Sequence, residues 1–256
     1  MRSVLVFMTI VTAFHSPVLA MSQVTIHGIT DTLKPEHEKY ANALETAAAA
    51  FKEAEELFAE EAFTLRRGWK KDHETDDGDI IYCKHTDKGK MCTVATVLDW
   101  QVDKVLNETW TGIAGLPNWN PNINYASEVV ALTDHVDIVT YGNNDVLVVT
   151  GRDFVSARLY RPIPTGGYIM ASRSVQVDAY PEQKGKVRAE LHMAAVRFRA
   201  NPDAPETSTL CDVVMLVDLK GMLPKIVVNQ VIPKIMGMDV EQNRKHFKEL
   251  SEKAKI

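Results

Sequence analysis

The segment from Pro224 to Met236 constrains the fold more than any other part of the chain, because it is too apolar for an ordinary surface helix. Pro224 suits a first helical turn, where a missing amide hydrogen costs nothing. One wide stripe at helical spacing consists of Val227, Val228, Val231, Ile232 and Ile235. Further apolar side chains fall outside that stripe: Met222, Ile226 and Met236. Such a helix either packs in a core against a sheet or closes over an apolar ligand, and both interpretations stay open.

Pro233 interrupts this helical pattern. Proline removes one backbone hydrogen bond and crowds the preceding turn, so we expect a kink or break there. Asp239 would then cap a new helix that runs through Leu250. Residues 241–255 are mostly polar, which predicts a solvated surface with no site.

Upstream, the pattern is one helix followed by many strands. A long amphipathic helix is predicted to begin at Pro35 and to end near Gly68. A shorter helix is predicted from Val102 to Ile113. Extended runs bounded by turn residues are Asp79–His85, Met91–Asp99, Ala126–Thr133, Val136–Tyr141, Val146–Thr150, Phe154–Pro162, Tyr168–Val177, Lys186–Phe198 and Thr209–Leu219. Strands joined by short turns form an antiparallel sheet that the terminal helices must cover, which predicts an α+β fold in one domain.

The first twenty residues have the pattern of a targeting segment. Arg2 precedes an apolar run, and Val18-Leu19-Ala20 offers small residues at a cleavage position. That order is typical of a secretory signal peptide. Met21 follows directly and is an alternative start. We therefore exclude residues 1–20 from the fold and keep both starts open.

The three cysteines do not suggest a disulfide scaffold, because they are few, odd in number and widely spaced. The simplest interpretation is three buried thiols. Cys83 and Cys92 flank a predicted turn, so they would face each other if the chain were exported. Cys211 has no obvious partner.

Charge and motifs exclude several function classes. The formal net charge is −5 and no long run of lysine or arginine occurs, which argues against nucleic acid as a partner. The chain has no G-x-S-x-G elbow, P-loop, dinucleotide fingerprint or H-E-x-x-H motif. Its eight histidines are scattered singly, without metal-ligand spacing. We therefore expect no cofactor, no metal and no catalytic residue.

Arg158 is the polar residue that looks misplaced. Alternation along a strand puts it on the same face as Phe154 and Ser156. If that face points inward, the guanidinium must find an acidic partner, carbonyls, water or a ligand hydroxyl, because an unpaired buried charge is costly. The alternative is that Phe154 is exposed and Arg158 points to solvent.

An ordered series of short motifs carries a resemblance to a known family. The series comprises Trp69-Lys70, Trp119-Asn120-Pro121-Asn122, Gly151 to Arg158, Pro181 to Gly185, Arg188-Ala189-Glu190, Asp218 to Lys225 and Asn229-Gln230. It resembles the START lipid-transfer domain of the steroidogenic acute regulatory protein type. The resemblance implies a helix-grip fold, in which a curved antiparallel sheet wraps around the long C-terminal helix and encloses a lipid tunnel. The chain would then comprise a leader (1–20), an amphipathic helix (21–64) and a START-like domain (65–256) continuous with that helix.

The same resemblance implies a function and a site. It implies non-enzymatic binding and intermembrane transfer of one lipid, cholesterol or another sterol, by a monomer that contacts membranes transiently. The alternatives are a phospholipid or other lipid carrier or sensor, and a lipid thioesterase or esterase. The expected lipid-binding residues are Arg158, Ser156, Phe154, Trp119, Leu223, Val227, Val231 and Ile235. The family favours a cytoplasmic protein, whereas a working signal peptide would make it secreted.

The acidic partner of Arg158 is the point at which the sequence departs from the sterol-binding pattern. In sterol-type members an acidic residue on the preceding strands pairs with this arginine. Here that position falls on Val139, or on Gly142 if the hairpin is shortened, and neither can form an ion pair. We therefore expect Asp145 or ordered water to satisfy the guanidinium.

Overall fold

The computed structural model of the protein describes residues 21–254. The leader predicted at residues 1–20 lies outside the described residues. Within them the helices are α1 (Ala41–Ala59), α2 (Glu61–Thr64), α3 (Val102–Thr111), α4 (Leu116–Trp119) and α5 (Lys225–Lys253). Short 3-10 turns, Pro35–Tyr40 and Ile113–Gly115, precede α1 and α4. No helix of this part of the chain is both long and apolar enough to cross a membrane.

The strands form one large sheet and one small hairpin. They are β1 (Gln23–Ile26), β2 (Ile29–Thr32), β3 (Lys70–Glu74), β4 (Ile80–Thr86), β5 (Gly89–Leu98), β6 (Ile123–Ala131), β7 (Val136–Asn143), β8 (Arg152–Pro162), β9 (Tyr168–Ser174), β10 (Val187–Arg188), β11 (Glu190–Ala200) and β12 (Thr209–Asp218). The large sheet has the order β3-β4-β5-β12-β11-β9-β8-β7-β6, and its neighbours are antiparallel. The short β10 pairs in parallel with β8, and β1 pairs with β2. The predicted α+β class with an antiparallel sheet and a C-terminal helix is confirmed.

The two long helices cover opposite faces of this sheet. On β8, Val155, Ala157 and Leu159 belong to the core under α1, whereas Phe154 packs in the cluster that contains α5. Alternation of side chains along the strand therefore separates an outer face under α1 from an inner face under α5. The inner face is the one that can enclose a ligand.

Helix α1 seals the outer face tightly. Ala47, Ala50 and Ala54 are fully buried, so small side chains let the helix lie close to the strands. Phe51 and Phe58 fill the remaining space. The apolar stripe predicted for this helix is thus its buried face.

Two strand predictions needed correction, and three strands were missed. Residues 146–150 are a tight turn with an isolated bridge between Val146 and Val149, and Leu147 has a φ of 55° there. The run predicted at 186–198 is divided at Ala189, where β10 pairs with β8 and β11 pairs with β12 and β9. Strands β1, β2 and β3 were not predicted, because their residues are mostly polar and exposed.

The expected break at Pro233 is absent, since α5 is continuous from Lys225 to Lys253. Proline leaves the carbonyl four residues earlier, that of Asn229, without its helical donor. The ammonium of Lys90 donates to this carbonyl oxygen at 2.6 Å and also pairs with Asp72 at 2.6 Å. Because a side chain from β5 replaces the lost hydrogen bond, the helix passes through Pro233 without ending. Asp239 therefore lies inside the helix and caps nothing.

The cysteines also differ from the simplest expectation of three thiols. Cys83 on β4 and Cys92 on β5 lie directly opposite each other and form a disulfide. Cys211 is a buried free thiol. The turn between Cys83 and Cys92 fixes this register, as the flanking positions in the sequence indicated.

Candidate ligand tunnel

Two adjoining cavities lie between the inner face of the sheet and α5. One, of about 300 Å³, is bounded by the α3 to α4 segment, by strands from β6 to β11 and by α5. The other, of about 170 Å³, extends along β5, β11 and β12. They share wall residues Thr109, Ala194, Val196, Asp239, Asn243 and Phe247, so we treat them as one tunnel.

The sheet wall of the tunnel is mainly aliphatic. Ala194 and Val196 on β11 face inward by alternation, as do Val213 and Met215 on β12. Cys211 continues the same row. The small side chain of Ala194 leaves space that a larger residue would fill, which helps to keep the tunnel open.

The helix wall comes from a later part of α5 than the sequence suggested. Met236, Val240, Asn243 and Phe247 recur at helical spacing and face the tunnel. Two of them, Asn243 and Phe247, lie in the stretch that was expected to be solvated and without a site, so that expectation was wrong. The stretch was misread because charged residues surround these two and lower its average apolarity.

The segment from α3 to α4 closes one side of the tunnel. The Trp119 ring stacks on His246 of α5 with centroids 4.1 Å apart and an interplanar angle of 8°. Nε2 of His246 also lies 2.9 Å from Oε1 of Glu108 on α3. The two contacts hold this segment against the C-terminal helix. Nε1 of Trp119 is buried without a hydrogen-bond partner among the described residues.

Arg158 is buried at the wall of the larger cavity, and Asp137 is its acidic partner. Nε of Arg158 donates to Oδ1 of Asp137 at 2.9 Å, and Nη2 donates to the other carboxylate oxygen. Nη2 also donates to the carbonyl of Trp110 at 2.9 Å, and Nη1 donates to that of Thr109 at 3.3 Å. The guanidinium lies 4.5 Å above the Trp110 ring centroid. Burial raises the pKa of Asp137 in spite of its hydrogen bonds from Arg158.

The expected partner of Arg158 was therefore wrong. Asp145 accepts a hydrogen bond from the amide of Gly151 at 2.6 Å and closes the turn between β7 and β8. The register of that hairpin pairs Asp137 with Arg158, and it pairs Val139 with Ser156. Since the register depends on the length of the turn, counting residues along the sequence selected the wrong positions on β7.

The predicted lipid-binding residues fall into two groups. Arg158, Ser156 and Trp119 line the larger cavity. Phe154 does not line the cavity, but its ring stacks on that of Tyr141 with centroids 4.8 Å apart, and Tyr141 lines the cavity. The four aliphatic residues line neither cavity and pack in a neighbouring core cluster: Leu223, Val227, Val231 and Ile235. That cluster includes Val146, Val149 and Leu219, so the apolar stripe of early α5 is core packing.

Asp239 is a further tunnel residue whose position was not foreseen. Its Oδ1 accepts hydrogen bonds from Nδ2 of Asn120 at 3.2 Å and from Nδ2 of Asn122 at 3.3 Å. Burial raises the pKa of this carboxyl above its ordinary value, although both amides oppose the shift. The motif Trp119-Asn120-Pro121-Asn122 was visible in the sequence, but nothing there connected it with α5.

Comparison with known proteins agrees with this architecture. The chain matches the family model described as START domain over residues 49–253. The chain belongs to the START domain family. It is 53% identical over 230 residues to Steroidogenic acute regulatory-like protein 1 of Caenorhabditis elegans, covering 90% of this chain and 88% of that protein. It is 30% identical over 174 residues to the mitochondrial steroidogenic acute regulatory protein of Gallus gallus, covering 65% of this chain and 60% of that protein.

Solved structures show the same fold at low sequence identity. Human StAR-related lipid transfer protein 5 aligns with a TM-score of 0.72 and 19% identity, over 82% of this chain and 99% of that one. Human STARD10 aligns with a TM-score of 0.65 and 21% identity, over 79% of this chain and 80% of that one. The family match begins inside α1, so the domain boundary placed at residue 65 stays a prediction.

Proposed function

We propose that the protein binds one sterol in the tunnel and carries it between membranes without changing it chemically. Membership of the START domain family supports lipid binding and transfer. A tunnel with mostly aliphatic walls and few polar groups suits a large apolar ligand, because affinity then comes from buried apolar surface. The few polar groups would set which lipid fits and in which direction it enters.

The observation that carries the sterol proposal is a set of hydrogen-bonding groups beside Arg158. Oγ of Ser156 is buried and has no hydrogen-bond partner among the described residues. Nη1 of Arg158 donates only to the carbonyl of Thr109, and a guanidinium Nη carries two hydrogens, so one donor remains. A rigid apolar body with a single hydroxyl at one end suits this arrangement, because Ser156 and Arg158 are polar residues in the wall of the same cavity.

The tunnel lacks the arrangement that a thioesterase or esterase needs. A nucleophile must lie beside a base that activates it. Among the described residues, Oγ of Ser156 has no hydrogen-bond partner and thus no base beside it, and Nε2 of His246 is 2.9 Å from Oε1 of Glu108. Burial raises the pKa of the Cys211 thiol, which keeps it protonated and a poor nucleophile. These features support a carrier over an enzyme.

Exposed aliphatic side chains near the start of α5 support the proposed transient contact with membranes. Met222 and Ile226 project into solvent on this segment, and Leu147 and Val148 do so on the turn between β7 and β8. Arg152 joins the two regions, because its guanidinium donates to the carbonyls of Leu219 and Lys220. A lipid surface would cover these side chains while a ligand enters or leaves.

Native mass spectrometry and vesicle transfer test the proposal together. The purified protein should bind one cholesterol per chain, move it between vesicles and return it with unchanged mass. Ala194→Phe should abolish binding while the fold survives, because the added ring occupies tunnel space. Ile226→Asp should leave binding unchanged and slow the transfer.

Three results would contradict the proposal. Saturable binding of phosphatidylcholine without any sterol binding would indicate another kind of lipid carrier. A covalently altered lipid would indicate an enzyme. Equal cholesterol binding by Ala194→Phe and wild type would place the lipid outside the tunnel.

A further inference from the structure

Asp239 is an acidic residue of the tunnel wall, separate from Arg158. It lines both cavities and so lies where they meet, whereas Arg158 lines only the larger one. Tyr141 also lines the larger cavity. Its pKa is raised mainly by burial and, to a smaller extent, by the charge of Asp239, while the charge of Arg158 acts in the opposite direction. Arg158 and Asp239 are thus ionisable side chains at different positions along the tunnel.

The surroundings of Asp239 are unusual for a half-buried acid. A buried carboxylate normally needs a cation, because removing its charge from water is costly. No lysine, arginine or histidine among the described residues forms a salt bridge with Asp239. Its only side-chain partners there are the amides of Asn120 and Asn122.

Both amides converge on the same oxygen, Oδ1. The second oxygen, Oδ2, accepts no hydrogen bond from the described residues. It is also not one of their buried polar atoms that lack both accessible surface and a partner, so it retains accessible surface. Asp239 is half-buried, and both cavities border it, so its accessible surface faces the tunnel. The two asparagines therefore hold the carboxyl through one oxygen and leave the other without a partner among the described residues.

We propose that Asp239 is a second polar anchor, which accepts a hydrogen bond from a second hydroxyl of the bound lipid. The inference rests on the proposed function, since it assumes that a sterol occupies the tunnel. It narrows the ligand class to sterols with two separated hydroxyls, one for the Ser156 and Arg158 end and one for Asp239. A sterol with only one hydroxyl leaves Oδ2 of Asp239 facing hydrocarbon, which lowers its affinity.

Equilibrium binding of three probes to the full chain tests this assignment. The probes are cholesterol, 7α-hydroxycholesterol and 25-hydroxycholesterol, which place the second hydroxyl on the ring system or on the side chain. Wild type should bind at least one diol about tenfold or more tightly than cholesterol, as expected for one hydrogen bond to a charged group. Asp239→Leu should bind that diol and cholesterol with similar affinity.

Two further variants separate the anchor from general effects on the fold. Asp239→Asn keeps an acceptor oxygen and the side-chain shape, so it should retain part of the preference for the diol. Glu249→Gln removes an exposed acid of the same helix and should bind all three sterols as wild type does. The unfolding temperature of each variant, measured without ligand, reports whether the fold is intact.

The outcomes distinguish this inference from the proposed function. Equal affinity of wild type for all three sterols, or an unchanged diol preference in Asp239→Leu, overturns the anchor and leaves sterol binding in place. Absence of binding by all three sterols overturns both. A preference that falls equally in Glu249→Gln and Asp239→Leu would show a general charge effect and also overturn the anchor.

Discussion

Arg158 and Asp239 are both charged side chains at the wall of one tunnel, but the protein treats them differently. Arg158 contacts an opposite charge on the adjacent strand, two backbone carbonyls and the face of an indole ring. Asp239 has two neutral amides on one oxygen. Nearly all donors of the Arg158 guanidinium thus have protein acceptors, whereas the Asp239 carboxyl is held through Oδ1 and its Oδ2 has no partner among the described residues.

This difference separates what supports the fold from what selects the ligand. The pair of Arg158 and Asp137 joins β8 to β7, and its carbonyl contacts join β8 to α3. Removing either charge therefore disturbs the packing of β7, β8 and α3 against one another. Asp239 joins α5 to the segment after α4 through amides that do not require its charge. The amides favour the charged carboxylate but do not offset its burial, which still raises its pKa. The remaining cost of this acid is explained better by a ligand than by the fold.

The largest expected effect comes from breaking the ion pair on one side. Asp137→Leu leaves the guanidinium buried without its acid, so the free energy of unfolding should fall by about 3–5 kcal/mol. Arg158→Met should do similar harm, because it strands the carboxylate of Asp137. The double variant Asp137→Leu/Arg158→Met should recover most of the loss, since two apolar side chains replace the pair.

Urea denaturation of the two single variants and the double variant measures this coupling. Glu128→Gln on the neighbouring strand β6 is the matched control, because its acid is exposed and should contribute little. If the losses of the two single variants simply add in the double variant, the two side chains are not coupled, and Asp137 does not stabilise the buried charge of Arg158.

A smaller effect is expected on ligand binding in the double variant, where the fold is retained. A sterol with its ring hydroxyl should bind about ten- to a hundredfold more weakly than to wild type, because one charge-assisted hydrogen bond is lost. Cholestane, which lacks the hydroxyl, should be little affected. Titrating both ligands against both proteins gives a coupling energy. A value near zero would mean that the ring hydroxyl is held elsewhere, and Ser156 would be the next residue to change.

Much of the fold could be predicted from the sequence, because side-chain alternation and turn residues are local signals. Alternation put Arg158, Ser156 and Phe154 on the inner face, where the structure has them. The break at Pro233 was predicted wrongly, because its remedy is not local. Lys90 donates to the carbonyl of Asn229 across 139 positions of sequence, and a helical pattern contains no sign of such a partner.

The site was predicted less well than the fold, since it depends on registers and on helix phase over long distances. The partner of Arg158 was missed because the turn between β7 and β8 sets which residue of β7 lies opposite it. The residues of α5 that line the tunnel were not identified, because an apolar stripe is as typical of core packing as of a ligand wall. Asp239 is acidic, so a search for apolar stripes could not identify it as a tunnel residue.

The smallest expected effect concerns Asp239 in the protein without ligand, and its sign follows from burial. The pKa of this carboxyl is higher in the folded chain than in the unfolded one, so the folded state binds the proton more readily. The stabilisation from protonation is therefore fully present below the ordinary aspartate pKa and is lost as pH rises through the folded pKa. Asp239→Asn has no such titration. It should be more stable than wild type at neutral pH, and the difference should vanish under acidic conditions, where wild type is protonated as well.

Unfolding temperatures of wild type and Asp239→Asn, measured from acidic to neutral pH, report this difference in stability. Glu249→Gln, which changes an exposed acid of the same helix, is the control. Asp137 also has a raised pKa, but it is present in all three proteins, so its contribution cancels. A lower stability of Asp239→Asn at neutral pH would mean that the fold depends on this charge, and Asp239 would then resemble Arg158. A pH-independent difference would place its cause in packing. A gain that grows towards neutral pH would show that the folded chain retains Asp239 at a cost in stability, as expected of a group that serves a ligand.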